Sequence, residues 1–93
     1  MGTAAAIFEA RMSHEQAEQL AGLMAAGRPA RPGGVETASL LYEDGVGRLI
    51  AYWRDRETLD RYLAEAEVPR GTELMRKVGV EPELRIVEVL ELG

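Results

Sequence analysis

Cysteine and asparagine are absent from this 93-residue chain, and histidine, lysine and tryptophan each occur once. Without cysteine there is no disulfide framework, thiolate nucleophile, cysteine zinc site or iron–sulfur cluster. One histidine cannot form a metal-binding cluster, and scattered carboxylates do not complete a transition-metal ligand set, so neither a metal nor any other cofactor is expected. A basic excess is also missing: 16 acidic residues face 11 basic ones, for a net charge of −5. Nucleic-acid binding is therefore not expected, because it depends on neutralising phosphates with Lys and Arg. No run approaches the roughly 18 apolar residues of a membrane span. Residues 1–6 show no basic start leading into a long apolar stretch, so a cytoplasmic protein without a signal peptide is expected.

What is present is ordinary globular composition, 46% apolar and 29% charged. The length fits a single domain, residues 1–93. A domain this short buries only about two-thirds of its unfolded surface, which makes a lone core marginal and favours self-association. Ten of the 11 basic residues are Arg, beside 13 Ala and 10 Gly, a composition expected of a GC-rich bacterial genome.

Residues 4–12 read as a strand with Phe8, Ala10 and Met12 on one face and Ile7, Glu9 and Arg11 on the other. Ser13 with Gln16 makes a capping box that opens a helix over residues 14–26, with Ala17, Leu20, Ala21 and Met24 on its apolar side. Gly27 reads as a left-handed helix stop, and the two prolines and two glycines of residues 28–34 predict an irregular loop carrying Arg28 and Arg31. That loop either covers a pocket or simply connects. Val35–Tyr42 and Val46–Trp53 are strand-like runs around Glu43, Asp44 and Gly45, and Asp-Gly in such a place predicts a hairpin. Asp55 caps a second helix with Leu59, Tyr62, Leu63 and Ala66 on one stripe. Pro69 and Gly71 break it, and Thr72 restarts a short helix with Leu74, Met75 and Val78 inward, closed by Gly79 and Pro82. Residues 83–92 are the last strand.

The order β-α-β-β-α-β predicts the α+β, ferredoxin-like fold, a four-stranded antiparallel sheet with helices on one face. The other face does not read as fully wet. Leu84, Ile86, Leu90 and Leu92 alternate with Val87 and Val89, and Ile50 and Tyr52 lie opposite Leu49, Ala51 and Trp53. A half-solvated strand alternates apolar with polar. The simplest cover for an apolar second face is another copy of the same sheet, so a homodimer through the sheet faces is expected.

Residues 49–59, a strand ending in Trp53, an acidic link and a helix capped by Asp55, resemble the corresponding segment of the antibiotic biosynthesis monooxygenase family of the dimeric α/β-barrel superfamily. The resemblance implies a homodimer with a ligand pocket between sheet and helices in each subunit. It also implies cofactor-independent oxidation of a small electron-rich aromatic or quinol-type molecule by molecular oxygen. The chain departs from the family in two respects. Monooxygenase members pair an Asn with the Trp near the bound aromatic, and this chain has no Asn. Haem-degrading members carry a His iron ligand on the helix after the third strand, whereas the one histidine here, His14, opens the first helix. A non-catalytic small-molecule-binding protein on the same fold is the alternative.

Trp53, Phe8, Tyr62, Met75 and Arg76 are the candidate ligand-contacting residues; no catalytic residue is assigned. Trp53 reads either as packing or as the wall of an aromatic pocket, with Ala10, Ala38 and Gly47 leaving room beside it. Arg76 follows Met75 near the expected pocket mouth, where a guanidinium would hold an acidic or phenolate ligand. Met75 at a core-facing position is equally a gap-filler, and His14 reads as a solvated surface residue. RNA-recognition domains of the same topology need stacked aromatics on the central strands, metal carriers need Cys-x-x-Cys, and acylphosphatase-like enzymes need an Asn. None of these is present.

Overall fold

The computed structural model describes residues 3–92. Strand β1 is Ala4–Arg11 and helix α1 is His14–Ala26; strands β2 and β3 are Val35–Glu43 and Val46–Trp53. Helices α2 and α3 are Arg56–Glu65 and Arg70–Lys77, and strand β4 is Glu83–Glu88. The strands form one antiparallel sheet in the order β2-β3-β1-β4. This is the ferredoxin-like α+β fold, with the helical segment after β3 divided in two.

Local chemistry sets most of the element ends. The Ser13 hydroxyl accepts from the Gln16 N–H at 3.1 Å, and the Gln16 side chain accepts from the Ser13 N–H at 2.8 Å, closing the capping box. Asp55 Oδ1 accepts from the Thr58 N–H at 2.7 Å, and that backbone hydrogen bond is the chief reason the Asp55 carboxyl titrates below its ordinary value. Asp44 and Gly45 both take positive φ, 50° and 79°, as a two-residue hairpin turn requires.

Four expectations are corrected. Gly27 is not left-handed: its φ is −90°. Its lack of a side chain lets the Arg70 guanidinium lie close, since a Cβ there would be 2.6 Å from Nη2 of Arg70. The loop over 28–34 is not wholly irregular, since Arg28–Ala30 form a short 3-10 turn with Pro29 within it. Helix α3 begins at Arg70 rather than Thr72, so Gly71 lies inside it, where a Cβ would meet the Phe8 ring at 2.6 Å. The last strand stops at Glu88, not Leu92. Its partner β1 starts at Ala4, opposite Glu88, and the Val89 N–H reaches the Thr3 carbonyl as the final rung. Beyond that rung no described backbone lies alongside to pair with it.

The core lies between the sheet and the helices. From β1 it takes Ala4, Ala6, Phe8 and Ala10; from β3, Leu49, Ala51 and Trp53; from the helices, Leu20, Leu59, Leu74 and Met75. Even positions of β1 and odd positions of β3 share a face because side chains alternate along a strand. The opposite face carries Ile7, Ile50 and Tyr52, half-buried, with Leu41 53% and Val87 36% exposed. Glu9 sits on that face between Arg48 and Arg85, accepting from Arg48 Nε at 2.7 Å and from Arg85 Nη2 at 3.4 Å.

Candidate functional site

Strand register builds a recess in the inner face of the sheet. Ala6 pairs with Ala51, and Ala51 with Ala38, so three alanines lie side by side across β1, β3 and β2. The next row on one side is Phe8, Leu49 and Leu40; on the other it is Ala4, Trp53 and Val35. Val35 reaches the inner face only because the pairing shifts between Val35 and Thr37, a bulge that takes up Glu36. Larger side chains on both flanks and methyl groups between them leave a cavity of about 300 Å³, roofed by the helices.

Trp53 walls this cavity and is 2% exposed. Its ring is held on two sides. Tyr62 packs with ring centroids 5.0 Å apart at 37°. Gly34, at φ +101°, approaches the indole so closely that a Cβ would lie 3.1 Å from Cε3 and 2.6 Å from the Thr58 methyl. Trp53 Nε1 is buried with no hydrogen-bond partner among the described residues. Leaving such a donor unsatisfied costs about 1–3 kcal/mol. Proteins concentrate costs of this kind at functional sites.

The polar groups of the cavity come from Tyr62 and three arginines. The Tyr62 oxygen accepts from the Arg70 N–H at 2.7 Å, and its own proton has no acceptor among the described residues. Arg70 Nη1 donates to Glu73 Oε1 at 2.7 Å, while the rest of its guanidinium lies against Gly27. Arg28 and Arg31, in the segment after α1, complete the rim. No Asp, Glu or His among the described residues lines the cavity. The arrangement can hold a flat apolar body and stabilise negative charge on it, but it offers no carboxylate or imidazole to take a proton.

Of the five residues proposed from sequence, Trp53, Phe8 and Tyr62 line the cavity together. Met75 does not: it is fully buried in the core. Arg76 does not either; it lies exposed and binds Glu81 through Nε at 2.8 Å and Nη2 at 2.9 Å. That hydrogen-bonded pairing raises the Arg76 pKa and lowers that of Glu81. Arg70 takes the place at the mouth expected of Arg76. Among the small residues, Ala38 borders the cavity, whereas Gly47 and Ala10 pair at the other end of the sheet, and a Cβ on Gly47 would meet Met12. His14 is exposed, 3.0 Å from Glu18 and edge-on to Tyr42.

The fold and cavity define a small ferredoxin-like α+β domain with an apolar, arginine-rimmed cavity. No protein-family profile matches the chain, and no curated protein does. Solved structures match over nearly the whole length. SnoaB, a cofactor-independent oxygenase from Streptomyces nogalater, superposes with a TM-score of 0.63 at 18% identity, covering 99% of this chain and 97% of its own. A protein of unknown function from Nitrosomonas europaea gives 0.67 at 17% identity, covering 100% and 94%. A protein from Deinococcus radiodurans with the provisional name antibiotic biosynthesis monooxygenase gives 0.56 at 18% identity, covering 97% and 92%. The structural neighbours thus include antibiotic biosynthesis monooxygenase proteins, and at these identities what is shared is the fold. No helix among the described residues is long and apolar enough to cross a membrane.

Proposed function

We propose that this chain is a cofactor-independent oxygenase acting on a small electron-rich aromatic or quinol-type molecule bound in the cavity. The observation that carries the reading is the 300 Å³ apolar cavity walled by the Trp53 and Tyr62 rings and rimmed by arginines. The structural likeness to SnoaB, itself a cofactor-independent oxygenase, supports it. An anthrol-type substrate needs no external reductant: the ring CH2 of its keto tautomer and O2 give C=O and H2O, with all the electrons drawn from the substrate. The residues at hand would contribute by favouring the ionised, more readily oxidised form. The free Tyr62 proton and the rim guanidiniums stabilise an oxyanion, which lowers the substrate's own pKa without a general base.

Oxygen uptake with a panel of anthrols and quinols tests this. Uptake above the protein-free rate is expected for at least one member, and it should fall about tenfold or more in Tyr62→Phe, which keeps the ring and removes the donor. No uptake above autoxidation across the panel overturns it. A lining to which the described residues contribute no Asp, Glu or His favours a second reading, a binding protein without turnover. That reading expects quenching of Trp53 emission by the same compounds with no oxygen consumed.

The outer sheet face supports a second copy as its cover. Ile7, Ile50, Tyr52, Leu41 and Val87 form an apolar patch there, and a self-complementary two-fold contact buries it in both copies at once. Light scattering at micromolar concentration should give about twice the 10.2 kDa chain mass. A well-folded 10.2 kDa species would remove the dimer.

A further inference from the structure

The outer face of the sheet balances its charges, although the chain as a whole does not. Strand register lays that face out in rows. One row runs Leu41, Arg48, Glu9 and Glu83 across β2, β3, β1 and β4. The row on one side of it holds Ile50, Ile7 and Arg85, and the row on the other holds Glu43, Val46 and Arg11. Among the residues paired in register, Arg11, Arg48 and Arg85 thus stand against Glu9, Glu43 and Glu83. This face is neutral on a chain of net charge −5. At its centre Glu9 accepts from both Arg48 and Arg85, and the Glu9 and Arg48 side chains are only 34% and 39% exposed even in a single copy. Around that cluster Arg11, Glu43 and Glu83 have no ion pair among the described residues.

We propose that the Glu9–Arg48–Arg85 cluster is buried between two copies of this chain and controls whether they pair. This rests on the reading of the outer face as a dimer contact and adds the residues on which that contact depends. A two-fold contact is self-complementary: what one residue offers its opposite number, it also receives. A face that meets itself therefore needs both signs of charge, whereas one built for an acidic or a basic partner carries mostly the opposite sign. Neutrality also lets two chains of like net charge approach there without repulsion. Ile7 and Ile50, in the row beside Glu9 and Arg48, supply apolar surface to bury. The charged row sets the condition for burying it. Once a second copy excludes water, both guanidiniums depend on Glu9 for a partner, because a buried charge left unpaired is strongly unfavourable. A foreign apolar surface would also desolvate Arg11, Glu43 and Glu83 without offering them opposite charges, and a second copy offers both signs.

Sedimentation equilibrium over a range of concentrations tests this on the parent chain, on Glu9→Gln, and on a triple variant with Glu9→Leu, Arg48→Met and Arg85→Met. Glu9→Gln keeps the side-chain shape and leaves both guanidiniums without a carboxylate. In a single copy that change lies at the surface, so circular dichroism should show the fold unchanged. In the pair it strands buried charge, and the dimer dissociation constant should rise about a hundredfold or more. The triple variant removes the guanidiniums together with their partner, so pairing should return to the parent's level or exceed it. Asp60→Asn, which breaks the exposed Arg56–Asp60 pair on α2, should leave the constant unchanged. If Glu9→Gln pairs as tightly as the parent, if the triple variant is as weak as Glu9→Gln, or if Glu9→Gln unfolds the single chain, the inference is wrong while the dimer stands. If the parent is monomeric throughout, the dimer and the inference fall together.

Discussion

Trp53→Ala should destabilise the protein by about 3–5 kcal/mol, the range for truncating a large aromatic in a well-packed core. The residue is 2% exposed and belongs to the same buried cluster as Leu20, Leu59 and Met75. Its removal opens space continuous with the existing cavity, and Tyr62 and Gly34, which grip the ring, cannot close it without moving α2 and the β2 entry. Trp53→Phe should behave differently. It gives up part of the ring but also deletes the buried donor that has no partner, so the two effects oppose each other and stability should change by no more than about 1 kcal/mol. Ligand affinity should nevertheless fall about tenfold, because the smaller ring gives up part of the aromatic wall that the ligand packs against. Urea denaturation followed by circular dichroism checks the stabilities, since the fluorescent residue is gone, and calorimetric titration checks binding. A Trp53→Phe protein that binds as tightly as the parent would make Trp53 a packing residue only.

The second large effect is expected at the cavity floor. Ala51 sits in register between Ala6 and Ala38, in the middle of the row of methyl groups that creates the recess. Ala51→Leu places three further carbons in the 300 Å³ space. Because the space already exists, the new side chain buries apolar surface without forcing its neighbours apart, and stability should rise by about 0.5–2 kcal/mol, as cavity-filling changes do. Binding of flat aromatic ligands should fall about a hundredfold or more, because leucine takes the volume that the ligand needs. Thermal melts and quenching titrations on the same preparation read both effects. A drop in stability with binding retained would mean that the alanine row is close-packed under the helices and the ligand lies elsewhere.

The parts of the fold legible in the sequence are those decided within a few residues. Ser13 with Gln16, Asp55 with Thr58, and Asp44 with Gly45 each complete a hydrogen-bonding or dihedral requirement on their own, so α1, α2 and the β2–β3 hairpin begin or turn where the sequence places them. Trp53 and Phe8 were recognisable as inward residues from strand alternation, and Tyr62 from the stripe of its helix. Gly27 shows how one residue type carries two meanings. A glycine after a helix signals a left-handed cap or a close approach, and only the Arg70 guanidinium lying against it distinguishes them. Residues 89–92 have the alternation of a strand but extend past the end of β1, and a strand exists only where another backbone lies beside it.

The arginine at the mouth was misplaced for a related reason. The stripe of Leu74, Met75 and Val78 determines which face of α3 is buried, but not which end of that helix abuts the cavity. Docking puts the N-terminal end there, so Arg70 meets the rim while Arg76 points away and pairs with Glu81. By itself the sequence determined the order of elements, their capped ends, the inward faces of the central strands and an aromatic residue at the close of β3. Only the tertiary structure decided that Ala6, Ala51 and Ala38 fall in one row, that a bulge at Glu36 turns Val35 inward, and that Arg28, Arg31 and Arg70 converge. Caps and alternation are settled by neighbours in the chain. A cavity is settled by strand register and helix docking, which bring together residues that the sequence keeps far apart.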